Sequence, residues 1–284
     1  MNLLNRNFLV RTASAAVLAA IFVGAALLSP YTFAALLAVI MCGAMVELHR
    51  MARLTGAEPP LWYALAVALV ALAGSACFAL RLINLFDGTI IMAALAGVLV
   101  LSLPLLFVVE LYRGKATPMA NTGATLVSLV YIAFPLTLLV WLPGIFSTKF
   151  NGWYFLCYMF LVWANDVGAY IFGVTLGRHK LMERISPKKS WEGFIGGILL
   201  SVGTGAAIGA ATGQSIAVLM GVGLVVALSG VAGDLVESMF KRSAGVKDSG
   251  TMMPGHGGFL DRFDSVLVSA PFIVLYAVIF KSLL

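Results

Sequence analysis

Runs of about 20 apolar residues, parted by short polar intervals, recur along the whole chain and leave it few ways to fold. Nine such segments fall at approximately 10–28, 31–48, 61–80, 88–109, 122–142, 153–176, 193–212, 214–234 and 265–284. A helix rises 1.5 Å per residue, so each run is long enough to cross the roughly 30 Å hydrocarbon layer of a bilayer. Charged residues make up 11% of the chain, against about 25% in soluble domains, and the mean hydropathy is +1.02. The expected fold class is therefore an all-α polytopic integral membrane protein with about nine transmembrane helices.

Arg6 and Arg11 precede the first segment in the manner of a signal peptide. Its apolar stretch exceeds the usual 7 to 15 residues, however, and no clear small-residue cleavage site follows, so it reads as a span. The seventh segment, GFIGGILLSVGTGAAIGAATG, is rich in small residues that let helices approach closely, and its expected place is inside the bundle. Cys42, Cys77 and Cys157 lie in apolar runs without metal-ligand spacing and read as packing residues. Neither a soluble domain nor an internal repeat is evident.

Cytoplasmic loops carry an excess of Lys and Arg. With the N-terminus inside, only Arg81, Lys149 and Lys281 of the 18 basic residues fall outside, which supports nine spans and an external C-terminus. The same topology gathers two polar stretches on the cytoplasmic face: GRHKLMERISPKKSWEG after the sixth span and KRSAGVKDSGTMMPGHGGFLDRFDS after the eighth. Basic loops commonly set topology and touch anionic headgroups, at about 1 kcal/mol per cation. That role does not explain the carboxylates among the cations.

Of the 12 carboxylates, Asp166 lies within the sixth run in VWANDVGAYIFG, and Asp234 and Glu237 lie at the end of the eighth in SGVAGDLVESMFKR; these three are site candidates. Charges at such depth cost at least a few kcal/mol and usually face a wet cavity or a partner. On a helix Asp234, Glu237 or Ser238, and Lys241 share one face; Glu237 with Lys241 also reads as an ordinary helix-end ion pair. Asp261 and Asp264, three apart, project to one side if the ninth helix has begun. Carboxylates suit Mg²⁺, which shares its coordination with substrate phosphates, while Lys and Arg neutralise the other phosphate oxygens. Phosphoryl or nucleotidyl transfer fits this mixture. Gly255, Gly257 and Gly258 flank His256 in a turn whose N–H groups can approach an anion, although such a run is more often just a turn. His256 itself reads as a phosphate donor, an acid/base group or a turn-satisfying side chain. The chain contains no GxxxxGK[ST] P-loop and no HExxH zinc helix.

The stretch SMFKRSAGVKDSGTMMPGHGGFLDRFD, from Ser238 to Asp264, resembles the signature of the phosphatidate cytidylyltransferase (CDP-diglyceride synthetase) family. Lys241-Arg242, Lys247-Asp248, His256-Gly257-Gly258 and Asp261-Arg262-x-Asp264 stand at the family's spacing, with Met253 in place of another aliphatic residue or Phe. Upstream, GDLVES, WANDVGAYIFGVTLGRHKL and ISPKKSWEGFIGG extend the resemblance over most of residues 163–265. The first 150 residues resemble the family only in being apolar and helical.

The resemblance implies transfer of a cytidylyl group from CTP to phosphatidic acid, giving CDP-diacylglycerol and pyrophosphate, at the cytoplasmic face of a bacterial inner membrane. It implies a divalent metal, Mg²⁺, and leaves open a monovalent cation beside it. Asp234 and Asp261 are the implied metal ligands, with Asp264 placed beside them. Together with Lys241 and Arg242 these form the expected catalytic set. Lys188, Lys189, Ser190, Lys247, His256 and Arg262 are expected to bind substrate, with Asp248 orienting Lys247 or approaching the metal. Asp166 would line the lipid headgroup cavity, whereas Arg178, His179 and Lys180 would only enforce topology. Residues 151–284 are expected to be the catalytic region, with loops 177–192 and 241–264, and residues 1–150 a scaffold that supports a homodimer. The partners are CTP, phosphatidic acid and membrane lipid, with no nucleic acid.

Two other functions fit parts of the pattern. A cation-coupled transporter also buries carboxylates and uses Gly-rich spans, but has no need of the dense loop. A CDP-alcohol phosphatidyltransferase-like enzyme is chemically close, but its DGxxAR run is missing.

Overall fold

A computed structural model describes residues 19–80, 88–146, 149–250 and 257–281. Its helices, in chain order, are α1 Ala19–Leu28, α2 Pro30–Leu54, α3 Leu61–Ala79, α4 Gly88–Arg113, α5 Pro118–Ser128, α6 Phe134–Leu139, α7 Leu142–Ile145, α8 Trp153–Leu176, α9 Trp191–Thr212, α10 Ile216–Ser243 and α11 Leu260–Ile279. A π-helical turn, Leu129–Ala133, joins α5 to α6, so that Pro118–Ile145 forms one apolar span. Among the described residues eight helices are long and apolar enough to cross a membrane. The fold is thus the all-α polytopic membrane class. Of the expected first span, residues 10–18 lie outside the described residues, and the remainder is α1.

Helix ends follow local chemistry. Ser29 caps α2 in a capping box with Thr32, and Pro30 occupies the first turn, where its missing N–H costs nothing. Ser190 caps α9 by accepting a hydrogen bond from Gly193 N, and Gly213 ends that helix at a φ of 71°. The all-α expectation misses one small feature. Strands β1 Lys180–Met182 and β2 Ser186–Ser190 form an antiparallel hairpin in the loop after α8, pairing Lys180 with Ser190 and Met182 with Ser186.

The chain forms two compact units, Met1–Trp141 with Ser243–Arg262, and Leu142–Arg242 with Phe263–Leu284. The signature segment 243–262 thus packs with the first unit. In that unit the core runs along one face of α2 and α3 through residues such as Phe33, Leu37, Met41 and Ala64, all fully buried. Buried polar groups find partners across helices: Tyr63 donates to Ser102 O, Asn121 Nδ2 donates to Glu110 Oε2 at 3.1 Å, and Arg113 pairs with Glu110.

Close backbone approach dominates the second unit. A methyl at Gly168 of α8 would lie 2.6 Å from Gly196 O of α9, and one at Gly223 of α10 would lie 2.6 Å from Ser201 O. The Ser201 hydroxyl is within hydrogen-bond range of both Leu161 O (3.2 Å) and Gly223 O (3.0 Å), tying α8, α9 and α10 together. The expected interior place for α9 holds for one face only. Gly193, Gly196, Gly197, Ser201, Gly205 and Gly209 are buried, but Ile195 and Leu199 on other faces are more than half exposed. Small residues draw the helix in along a stripe while its larger side chains stay on the outside. Tyr158 of α8 is fully buried against α11, with its hydroxyl 2.6 Å from Ser269 Oγ and 3.2 Å from Val266 O.

Candidate active site

The last turns of α10 carry Asp234, Glu237, Ser238 and Lys241 at three- and four-residue steps, which stacks them on one face. Ser238 Oγ donates to Asp234 Oδ1 at 3.3 Å, and Lys241 Nζ lies 2.6 Å from Glu237 Oε2. This second pair is no solvated helix-end contact, because the Glu237 side chain is only 1% exposed. Gly233 brings the neighbouring helix in. A methyl there would lie 3.0 Å from the Asp264 carbonyl carbon and 3.1 Å from Ser265 Cα, so α11 can approach only because the position has no side chain.

Asp234, Glu237 and Asp264 can each direct one carboxylate oxygen to a common region, with all three oxygens within 4.8 Å of one another. The hairpin contributes the balancing cation. Lys189 Nζ lies 2.5 Å from Asp234 Oδ2. Alternation along β2 sends adjacent side chains to opposite faces, so Lys189 is half-buried at the carboxylates and Lys188 is exposed. Arg242 Nε donates to Ile185 O at 3.4 Å, binding the end of α10 to the same hairpin. Asp166 on α8 is exposed and lies within electrostatic reach of Asp264, as do Asp234 and Lys189.

Other expected site residues have different surroundings. Ser190 is buried as the α9 cap. His179 Nδ1 lies 2.6 Å from Glu192 Oε1, and Glu192 also accepts from the Arg178 and His179 amides, which fixes the start of the hairpin. Lys247, Asp248 and Arg262 are exposed in the first unit. His256 lies outside the described residues. Asp261 Oδ2 accepts from Ser249 N, Ser249 Oγ and Gly258 N, each at 3.0 Å. Glu237, a site candidate by its place at the end of an apolar run although the resemblance gives it no role, lies in the cluster. Glu47, buried in α2 and bonded to Ser249, Phe259 and Leu260, is a carboxylate that neither the motifs nor the resemblance single out.

The donor set fits a hard divalent cation. Ligands on opposite sides of an octahedral Mg²⁺ stand about 4.2 Å apart, from its metal–oxygen distance of about 2.1 Å. Oxygens already within 4.8 Å need only small side-chain rotations to meet that spacing. Asp264 has no ion-pair partner among the described residues, while Asp234 and Glu237 each have a lysine.

Fold and site together define a multi-pass membrane protein with a carboxylate and lysine cluster among its helix ends. The Cytidylyltransferase family model matches residues 9–280, so the chain belongs to the cytidylyltransferase family. Similar curated proteins include the phosphatidate cytidylyltransferases of Staphylococcus aureus (strain COL), 48% identical over 129 residues, and Staphylococcus haemolyticus (strain JCSC1435), 47% identical over 129 residues. Each alignment covers 44% of this chain and 50% of the relative. That of Staphylococcus saprophyticus is 45% identical over 130 residues, 45% of this chain and 50% of the relative. The chain spans about half the length of the curated relatives it matches.

Proposed function

We propose that this protein transfers the cytidylyl group of CTP to phosphatidic acid, giving CDP-diacylglycerol and pyrophosphate. The observation that carries the proposal is the cluster of Asp234, Glu237 and Asp264 with Lys189 and Lys241 against it. A phosphate oxygen of phosphatidate attacks the α-phosphorus of CTP. The new P–O bond forms as the bond to the β-phosphate oxygen breaks, and pyrophosphate leaves with the electron pair. An ionised phosphate is already nucleophilic, so the task is to bring two polyanions together and stabilise the charge that develops, by positioning and electrostatics.

Asp234 and Asp264, with Glu237 beside them, would hold Mg²⁺. A divalent cation bound there supplies positive charge for phosphate oxygens. Asp261 stays a ligand candidate through the sequence resemblance, while its bonds to Ser249 and Gly258 favour a part in holding the loop. Lys189 and Lys241 orient the carboxylates and offer charge to phosphate. Lys188, Lys247 and Arg262, being exposed, are suited to meeting CTP from water. We place the protein in a bacterial inner membrane with the site facing the cytoplasm, residues 151–284 as the catalytic region and residues 1–150 as a scaffold that supports a homodimer. A monovalent cation near the divalent one is part of the same reading. The family match favours neither the transporter nor the CDP-alcohol phosphatidyltransferase alternative.

The test is an assay of purified protein in detergent with CTP, phosphatidic acid and Mg²⁺, following pyrophosphate and the liponucleotide together. Both products are expected, and chelator should abolish both. Asp234→Asn and Asp264→Asn should each remove turnover without loss of membrane insertion. Release of CMP in place of pyrophosphate, or metal-independent turnover, would sink the proposal.

A further inference from the structure

Glu47 sits in the fifth turn of α2, 2% exposed, at the end of the helix's apolar run. A carboxylate so placed must be compensated, and here the compensation comes from more than 200 residues away. Oε1 accepts from Phe259 N at 3.0 Å, while Oε2 accepts from Leu260 N and from Ser249 Oγ, both at 2.9 Å. The first two donors stand at the start of α11, where amides lack intrahelical partners and the helix dipole favours negative charge. Ser249 is also shared: its hydroxyl lies 3.0 Å from Asp261 Oδ2, and having one hydrogen it can donate to only one of the two carboxylates at a time.

The surroundings are shaped around this carboxylate. A methyl at Gly250 or Gly258 would lie 2.7 Å from Glu47 Cδ, and one at Gly43, a turn earlier on α2, would lie 2.6 Å from the Phe259 ring. Three glycines thus leave the room in which the carboxylate meets the backbone of the loop. A residue serving only to fill space would not need three aligned donors, two adjacent backbone amides at 259–260 and the hydroxyl of Ser249.

We infer that Glu47 is a positioning residue for the reaction: it clasps Ser249 to the Phe259 and Leu260 amides and so fixes Asp261 and the first turn of α11. The inference rests on the proposed cytidylyl transfer for its catalytic consequence, and on geometry alone for the clasp. Glu47 does not touch substrate or reacting atoms in this role. It acts through Ser249 and the Phe259 and Leu260 amides.

The experiment pairs hydrogen exchange with kinetics on full-length wild type, Glu47→Gln, Glu47→Asp and Ser249→Ala in detergent. Glu47→Gln keeps the volume and replaces one acceptor with a donor that faces other donors. Exchange at 249–250 and 257–262 is expected to rise by roughly tenfold or more, with α8 and α9 unchanged. The kcat is expected to fall by about 10²-fold, as for misplacement on the order of 1 Å, and KM for CTP to change less. Ser249→Ala should give a smaller change of the same kind, and Glu47→Asp should recover part of the loss. Wild-type exchange and kcat in Glu47→Gln would overturn the inference. If wild type lacks cytidylyl transfer but Glu47→Gln still loses protection at 249–250 and 257–262, the clasp stands and the catalytic reading alone fails. Should Glu47→Gln not fold, the Ser249→Ala exchange decides: protection unchanged from wild type overturns the clasp.

Discussion

Replacing Gly233 with Ala tests whether helix approach at one point sets the geometry of the carboxylate cluster. The added methyl would lie 3.0 Å from the Asp264 carbonyl carbon and 3.1 Å from Ser265 Cα. Both are backbone atoms that cannot rotate away, so restoring a normal carbon spacing of about 3.5 to 4.0 Å moves α10 and α11 apart by about 0.5 to 1 Å. Such overpacking costs about 1 to 3 kcal/mol, partly offset by the better helix propensity of Ala, about 1 kcal/mol. The effect on turnover should be larger than on stability, because a shift of about 1 Å in a catalytic constellation costs about 10²-fold. Gly203→Ala is the control, since a methyl there meets nothing within 4 Å. Initial rates of pyrophosphate release and thermal unfolding in detergent should show Gly233→Ala slowed by about two orders of magnitude and Gly203→Ala unaffected. Equal kcat in both variants would refute the steric reasoning.

Lys189→Met removes the ammonium 2.5 Å from Asp234 Oδ2; turnover should drop by about 10²-fold, with a stability change of at most about 1 kcal/mol for this partly exposed pair. Tyr158→Phe deletes a buried hydroxyl, but Ser269 keeps its bond to Ser265 O at 2.6 Å. The expected loss is therefore about 1 kcal/mol in unfolding with normal kcat. In the loop after α2, hydrogen bonding to Lys115 at 2.6 Å holds Glu58 below the usual carboxylate range. A depressed carboxylate contributes its stability above its ordinary pKa and loses it as pH falls through the folded value. Lys115→Met should move the Glu58 titration upward, as followed by NMR of labelled glutamate, and an unmoved titration would refute the assignment.

The spans were legible because hydrophobicity in lipid is a bulk property, and runs such as 153–176 coincide with α8 to the residue. Asp234 was legible as a charge close to an apolar run, and Asp264 through its spacing from Asp261 and the family resemblance. Lys189 could be listed with Lys188 but not told from it, because their difference arises from the facing of β2. That hairpin was itself hidden: KLM and SPKKS are too short and too polar to show alternation. Glu237 was legible as a candidate by its place at the end of an apolar run, but its i,i+4 spacing with Lys241 suits a helix-end ion pair equally well. Glu47 was obscured by its neighbours His49, Arg50 and Arg53, which make the end of the span look interfacial even though α2 continues to Leu54. Its partners lie 202 to 213 residues downstream, beyond any local pattern.

That sequence distance bears on how the protein is made. At about 5 to 20 residues per second, the 213 residues between Glu47 and Leu260 take about 10 to 40 s to synthesise. During this interval α2 carries a carboxylate whose native donors do not yet exist. The nascent bundle must keep that group hydrated or sheltered by the insertion machinery until α11 arrives. Chains interrupted before Ser249 would never satisfy it, giving membrane quality control a chemical mark by which an unfinished copy differs from a finished one.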